Sequence, residues 1–138
     1  MFPSYILMSD GWMFHPTMSQ YAAIEALKDG FFDNFSMVEE MRDSYDKRRK
    51  FVLCSLSEIG LSCFEPRGAF YAFPSVKGTG MNSETFANEL LAKKKVAIVP
   101  GGAFGQFGDY NARISYATSM NALSEAFDRM AEFINLIK

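Results

Sequence analysis

The chain has 138 residues, with 14 Lys+Arg against 16 Asp+Glu and a single His. That length supports one domain with a real core, because a domain of this size hides about two-thirds of its unfolded surface. An apolar share of 49% against 22% charged excludes disorder, and a formal charge of −2 gives no electrostatic reason to expect nucleic acid or an anionic membrane.

Two cysteines, Cys54 and Cys63, fit no zinc-ligand spacing, and His15 has no ligand partner nearby in sequence. No metal site and no disulfide framework are expected, and a reducing, cytoplasmic setting is. Phe and Met are in surplus, at 14 and 9 copies. Side chains that large must be buried or shown to a partner.

Residues 1–15 are rich in Met and aromatics, follow no period and are expected to be irregular. Pro3, Ser4 and Asp10 interrupt the apolar stretch, and no basic leader precedes it, so no signal peptide is expected. No apolar run approaches the roughly 18–20 residues of a membrane span. Gln20 to Leu27 is rich in helix formers, with Ser19 or Thr17 as N-cap and Gly30 as the expected stop. Residues 36–59 carry Val38, Met41, Tyr45, Val52, Leu56 and Ile59 at helical spacing, with charges between them. This predicts a long amphipathic helix ended by Gly60.

Short strands are expected next, at 61–64 and at 69–73 before Pro74. A helix over 84–94 follows, capped by Ser83, with Phe86, Leu90 and Leu91 facing inward. Val96 to Val99 reads as a strand ended by Pro100, and 112–117 as another. The last helix is expected over about 119–137, capped by Ser119 or Thr118. Its core stripe is Met120, Leu123, Phe127, Met130, Ile134 and Ile137. The expected fold is α+β: a small mixed sheet of short strands packed against helices in two layers.

Two places could carry chemistry. Residues 101–108 hold four glycines after a strand. They match neither a P-loop nor a dinucleotide fingerprint, and a plain turn competes with an anion cradle. Arg113 lies in a short apolar strand between Ala112 and Ile114. Its planar fork suits a carboxylate bidentately. An edge-strand Arg facing water, or one paired with Asp109 or another acid, explains it equally well. The run Lys93-Lys94-Lys95 closes a helix, where cations suit the dipole, and reads as a solvated face.

Three segments in order resemble one family. Pro66-Arg67-Gly68-Ala69-Phe70-Tyr71-Ala72-Phe73-Pro74 resembles the proline-x-glycine-alanine-phenylalanine-tyrosine strand of class I/II aminotransferases. Val99-Pro100-Gly101-Gly102-Ala103-Phe104-Gly105 resembles their valine-proline-glycine-x-x-phenylalanine-glycine turn. Arg113-Ile114-Ser115-Tyr116-Ala117 resembles their arginine strand, and Gln20-Tyr21-Ala22-Ala23 the start of their domain-linking helix. The resemblance spans about residues 16–138 and is to the C-terminal, small domain of aspartate-aminotransferase-like, pyridoxal-phosphate-dependent enzymes. It implies amino-group transfer between an amino acid and a 2-oxo acid, and a homodimer.

It further implies that Arg113 binds the substrate α-carboxylate, with Gly68 and Phe70 near the mouth of the site. The family's cofactor-binding Lys has no counterpart here, and Gly11-Trp12 is only faintly like the pair that follows it. Nor are the Asp, Asn and Tyr that contact the ring matched. The resemblance therefore implies a fragment lacking the large domain, with pyridoxal phosphate held by the full-length enzyme and none by this chain alone. No catalytic, cofactor-binding or metal residue is expected in it. A small domain of a C–S β-lyase, or a fragment that only associates with partners, are the alternatives.

Overall fold

Pro16 opens the first helix, α1 (Thr17–Phe32), in the computed structural model, which describes residues 16–137. No side chain caps it. Instead the Pro16 carbonyl accepts from the N–H groups of Ser19 and Gln20 at 2.9 and 3.2 Å, so neither Ser19 nor Thr17 is the cap. Gly30 does not stop the helix either. It sits within it because the Phe35 ring lies where a Cβ would be, at 2.5 Å. The stop comes later, where Asn34 and Phe35 adopt φ of 57° and 55°. There the Phe35 N–H donates to the Gly30 carbonyl at 2.7 Å, a Schellman closure.

The chain divides into two compact units, Met1–Arg42 and Asp43–Lys138. In the first, α1 buries no residue, and Met18, Phe31, Phe32, Met37, Val38 and Met41 are exposed. The expected core roles of Val38 and Met41 are therefore not met within this chain. The helix α2 (Ser36–Glu58) runs on into the second unit, and only there does its stripe become core, through Val52 and Leu56. Gly60 adopts φ 82°, and the Leu61 N–H closes onto the Leu56 carbonyl at 2.9 Å, as the sequence predicts for this end.

The second unit packs helices on a three-stranded sheet, the α+β class expected. Its strands are β1 (Tyr71–Ala72), β2 (Val99–Pro100) and β3 (Ala112–Ser115), in the order β1-β3-β2 with both pairings antiparallel. Tyr71 faces Ser115 and Ala72 faces Ile114; Val99 faces Arg113 and Pro100 faces Ala112. All three strands are shorter than predicted. Ala69 takes φ 58°, which breaks the extended run before β1. Residues 61–64 form no strand, because Leu61 is buried while Phe64 is 96% exposed and no ladder forms.

Helices α3 (Ser83–Lys94) and α4 (Met120–Ile137) cover the inner face. The α3 cap is Asn82, not Ser83: its side-chain oxygen accepts from the Thr85 N–H at 2.8 Å. Ser83 is buried instead, its N–H donating to the Asp109 carbonyl at 2.7 Å. Leu91 points outward, and Ala87 takes the inner position with Phe86 and Leu90. On α4, Ser119 Oγ accepts from the Ala122 N–H at 3.2 Å, as a capping residue should. Leu123, Phe127, Met130 and Ile134 are buried as predicted, whereas Met120 is exposed.

Phe133, absent from the predicted stripe, is fully buried edge-on to Phe86 at 5.4 Å. Phe133→Ala is expected to lower stability by about 3–5 kcal/mol, the usual result of emptying a large aromatic site. Urea unfolding midpoints measure this.

Candidate functional site

The central strand β3 alternates cleanly. Ala112 and Ile114 turn into the core, while Arg113 and Ser115 turn to the other face. This settles why an Arg can sit in an apolar strand: its neighbours carry the burial and it does not share their face. The Arg113 guanidinium carbon lies 4.4 Å from the Tyr71 ring centroid and 4.6 Å from that of Phe104. Both distances are within cation–π range. Among the described residues Arg113 makes no ion pair, so the expected alternative of a pairing with Asp109 is not what the structure shows.

The rings around it form two groups, one on each side of the guanidinium. Tyr45 stacks on Phe70 at 5.9 Å, Phe70 meets Tyr71 at 4.8 Å, and Phe104 meets Phe73 edge-on at 6.4 Å. Phe70 thus touches Arg113 only through Tyr71. Gly68 lies in the turn before them, where a Cβ would meet nothing within 4 Å. Tyr71 and Phe104 were not singled out by the sequence. The signal lay in the Arg strand itself, since an unpaired cation in a sheet calls for aromatic neighbours.

The glycine segment is not a loose loop. It folds as two tight turns, Gly101–Phe104 and Gln106–Gly108. Gly101 and Gly108 approach backbone to backbone, so closely that a Cβ on either would strike the other's carbonyl oxygen. The Gly101 N–H donates to the Asn111 carbonyl at 2.7 Å. Glycine is required at both positions by contact, and the result is to fix Phe104 beside β3. On the other flank, Tyr116 is buried and its hydroxyl donates to the Ala69 carbonyl at 3.1 Å, holding the turn before β1. Burial pushes the Tyr116 hydroxyl pKa up.

Arg49 secures the same turn from α2. It bonds Asp46 at 2.7 Å and Glu65 at 2.5 Å. Asp46 is held below its ordinary range, first by Lys50 and then by Arg49; Glu65 is lowered chiefly by Arg49. His15 and residues 1–15 lie outside the described residues. The described residues contain no group of three or more metal-ligating side chains, and no helix long and apolar enough to cross a membrane.

The sequence matches the family model of class I and II aminotransferases over residues 4–130. The chain belongs to the class I and II aminotransferase family. That match begins earlier than the expected start at residue 16. A putative aminotransferase, YugH of Bacillus subtilis, is 54% identical over 120 residues, covering 87% of this chain but 30% of the relative. An aspartate aminotransferase of Pyrococcus abyssi is 49% identical over 118 residues, covering 86% and 30%. The crystal structure of an aromatic aminotransferase from Pyrococcus horikoshii superposes with a TM-score of 0.80 at 47% identity, covering 85% of this chain and 31% of that one. The chain spans about 30% of the length of the curated relatives it matches.

Aminotransferases of this family depend on pyridoxal phosphate. None of the described lysines is buried. Lys28, Lys50, Lys93 and Lys94 each pair with a carboxylate, Lys95 donates to the Ala92 carbonyl, and Lys47 and Lys77 are exposed.

The acid side of the stability profile follows from Arg49. Asp46 and Glu65 titrate below their unfolded values, near 3.8 and 4.5, when folded. Their stabilisation is complete above that range and is lost as pH falls through the folded values. Arg49→Gln is therefore expected to flatten the loss of stability between about pH 5 and about pH 3, read from urea midpoints across that range.

Proposed function

We propose that this chain is the C-terminal, small domain of a pyridoxal-phosphate-dependent amino-acid aminotransferase, and that Arg113 grips the substrate α-carboxylate. The observation that carries this is the state of the guanidinium: flanked by two rings and with no carboxylate partner among the described residues. An Arg paired bidentately with an Asp would have that edge of its fork occupied already. This one keeps that edge for a ligand, and a carboxylate matches its fork with two parallel N–H···O bonds.

The reaction class gives the grip a further use. Amino-group transfer runs between an amino acid and a 2-oxo acid, and both carry a carboxylate on the carbon next to the reacting one. A single Arg can therefore hold both partners of the exchange in the same orientation, which is how positioning lowers a barrier. Gly68 and Phe70 stand farther out: Phe70 supports Tyr71, and Gly68 lies in the turn that leads to it.

On this reading the rest of the full-length enzyme holds the cofactor, and the chain alone is expected neither to hold it nor to transaminate. The partners on this reading are the missing large domain, the amino-acid and 2-oxo-acid substrates, and a second subunit.

The test joins this chain to the remainder of the Bacillus subtilis relative in place of its matching segment. In that active hybrid, Arg113→Lys is expected to weaken substrate binding by about 1.5–3 kcal/mol, the worth of a charge-assisted bidentate bond. An unchanged KM for amino acid and oxo acid alike would sink the assignment. The isolated chain, mixed with pyridoxal phosphate and dialysed, is expected to retain no cofactor absorbance.

A further inference from the structure

Phe104 is 54% exposed, so its burial does little for the core. Yet the turn that carries it is fixed from several sides. Gly101 and Gly108 meet backbone to backbone, Gly105 takes φ 126°, and the Gly108 N–H donates to the Gly105 carbonyl at 2.9 Å. A turn this constrained presents one large side chain, and that side chain lies against the guanidinium of Arg113 and the edge of Phe73.

We propose that Phe104 is a positioning residue for carboxylate binding by Arg113: its ring holds the guanidinium plane in place and leaves the N–H edge free. This rests on the reading of Arg113 given above. The physical reason for a ring in this role is competition. An Asp beside Arg113 would orient it equally well but would occupy the donors that the ligand needs. A π-face orients the cation and accepts none of its in-plane N–H bonds. Without the Phe104 ring, Tyr71 holds one side of the guanidinium and more of its rotamer freedom must be removed by the ligand itself. Tyr71 belongs to the sheet and is present whatever the turn does; Phe104 is the part that the glycine turn adds.

The experiment uses the full chain with 15N-labelled arginine and acetate as the probe. The Arg113 Nε–H signal is expected to show a ring-current shift relative to exposed arginines, and to move on acetate addition. Phe104→Leu is expected to reduce the ring-current shift to the part that Tyr71 supplies and to weaken acetate binding about five- to tenfold. Phe104→Tyr is expected to restore both. Thermal midpoints of both variants are expected to stay close to the parent, since the ring is off the core.

Parental acetate affinity in Phe104→Leu overturns the role of Phe104 and leaves the Arg113 assignment standing. No acetate-dependent movement of the Arg113 signal in the parent chain overturns the assignment itself. If the Leu variant fails to fold, Phe104→Met takes its place and is read on acetate affinity in the same way, with parental affinity again overturning the role of Phe104.

Discussion

The second unit depends on the two-residue period of β3. It is the only strand of the three paired on both sides, so its register sets the positions of β1 and β2 together. Ala112 and Ile114 join the hydrophobic core beneath α3 and α4, which fixes which way Arg113 must point. A slip of one residue would bury the cation and expose Ile114, exchanging apolar burial for an unpaired buried charge. The inner packing therefore does double duty. By holding Ile114 in the core, it holds the guanidinium on the opposite face.

How much of this was legible in the sequence varies by element, and the reasons are physical. The α4 helix was read almost to the residue because its stripe repeats without interruption and Ser119 caps it. Phe133 escaped because it neighbours Ile134 in sequence, and a stripe drawn one residue wide misses the second row that a buried helix presents. The end of α1 was misread at Gly30. That glycine accommodates the Phe35 ring, a contact with a residue five positions on that propensity does not encode. Strands fared worst in extent. Val96 has the composition of a strand residue, but pairing begins only at Val99, and pairing is decided by distant residues.

The site shows the same division. Arg113 was singled out because its chemistry conflicts with its neighbours, and such a conflict is local and visible. Its surroundings were not, because Tyr71 and Phe104 come from segments separated by α3 and reach Arg113 only when the sheet forms. The glycine segment was open between a plain turn and an anion cradle. The structure gives it a different use, in which Gly101 and Gly108 permit a close backbone approach that fixes Phe104. Glycine content announced that something approaches closely there, but not what.

The Phe and Met surplus divides the same way. Phe86, Phe127, Phe133 and Met130 are core. Met18, Phe31, Phe32, Met37 and Met41, all in the first unit, stay exposed in this chain. Each such side chain would contribute roughly 1.5–3 kcal/mol if covered. The chain matches about 30% of its relatives' length, and on the reading proposed above these apolar faces meet the rest of an aminotransferase. The exposed rings around Arg113 differ in kind. They pair with one another and, through Tyr71 and Phe104, flank a cation. On the reading proposed above, the two π-faces leave the guanidinium its in-plane donors, so such a surface suits a planar anion better than a neutral apolar partner.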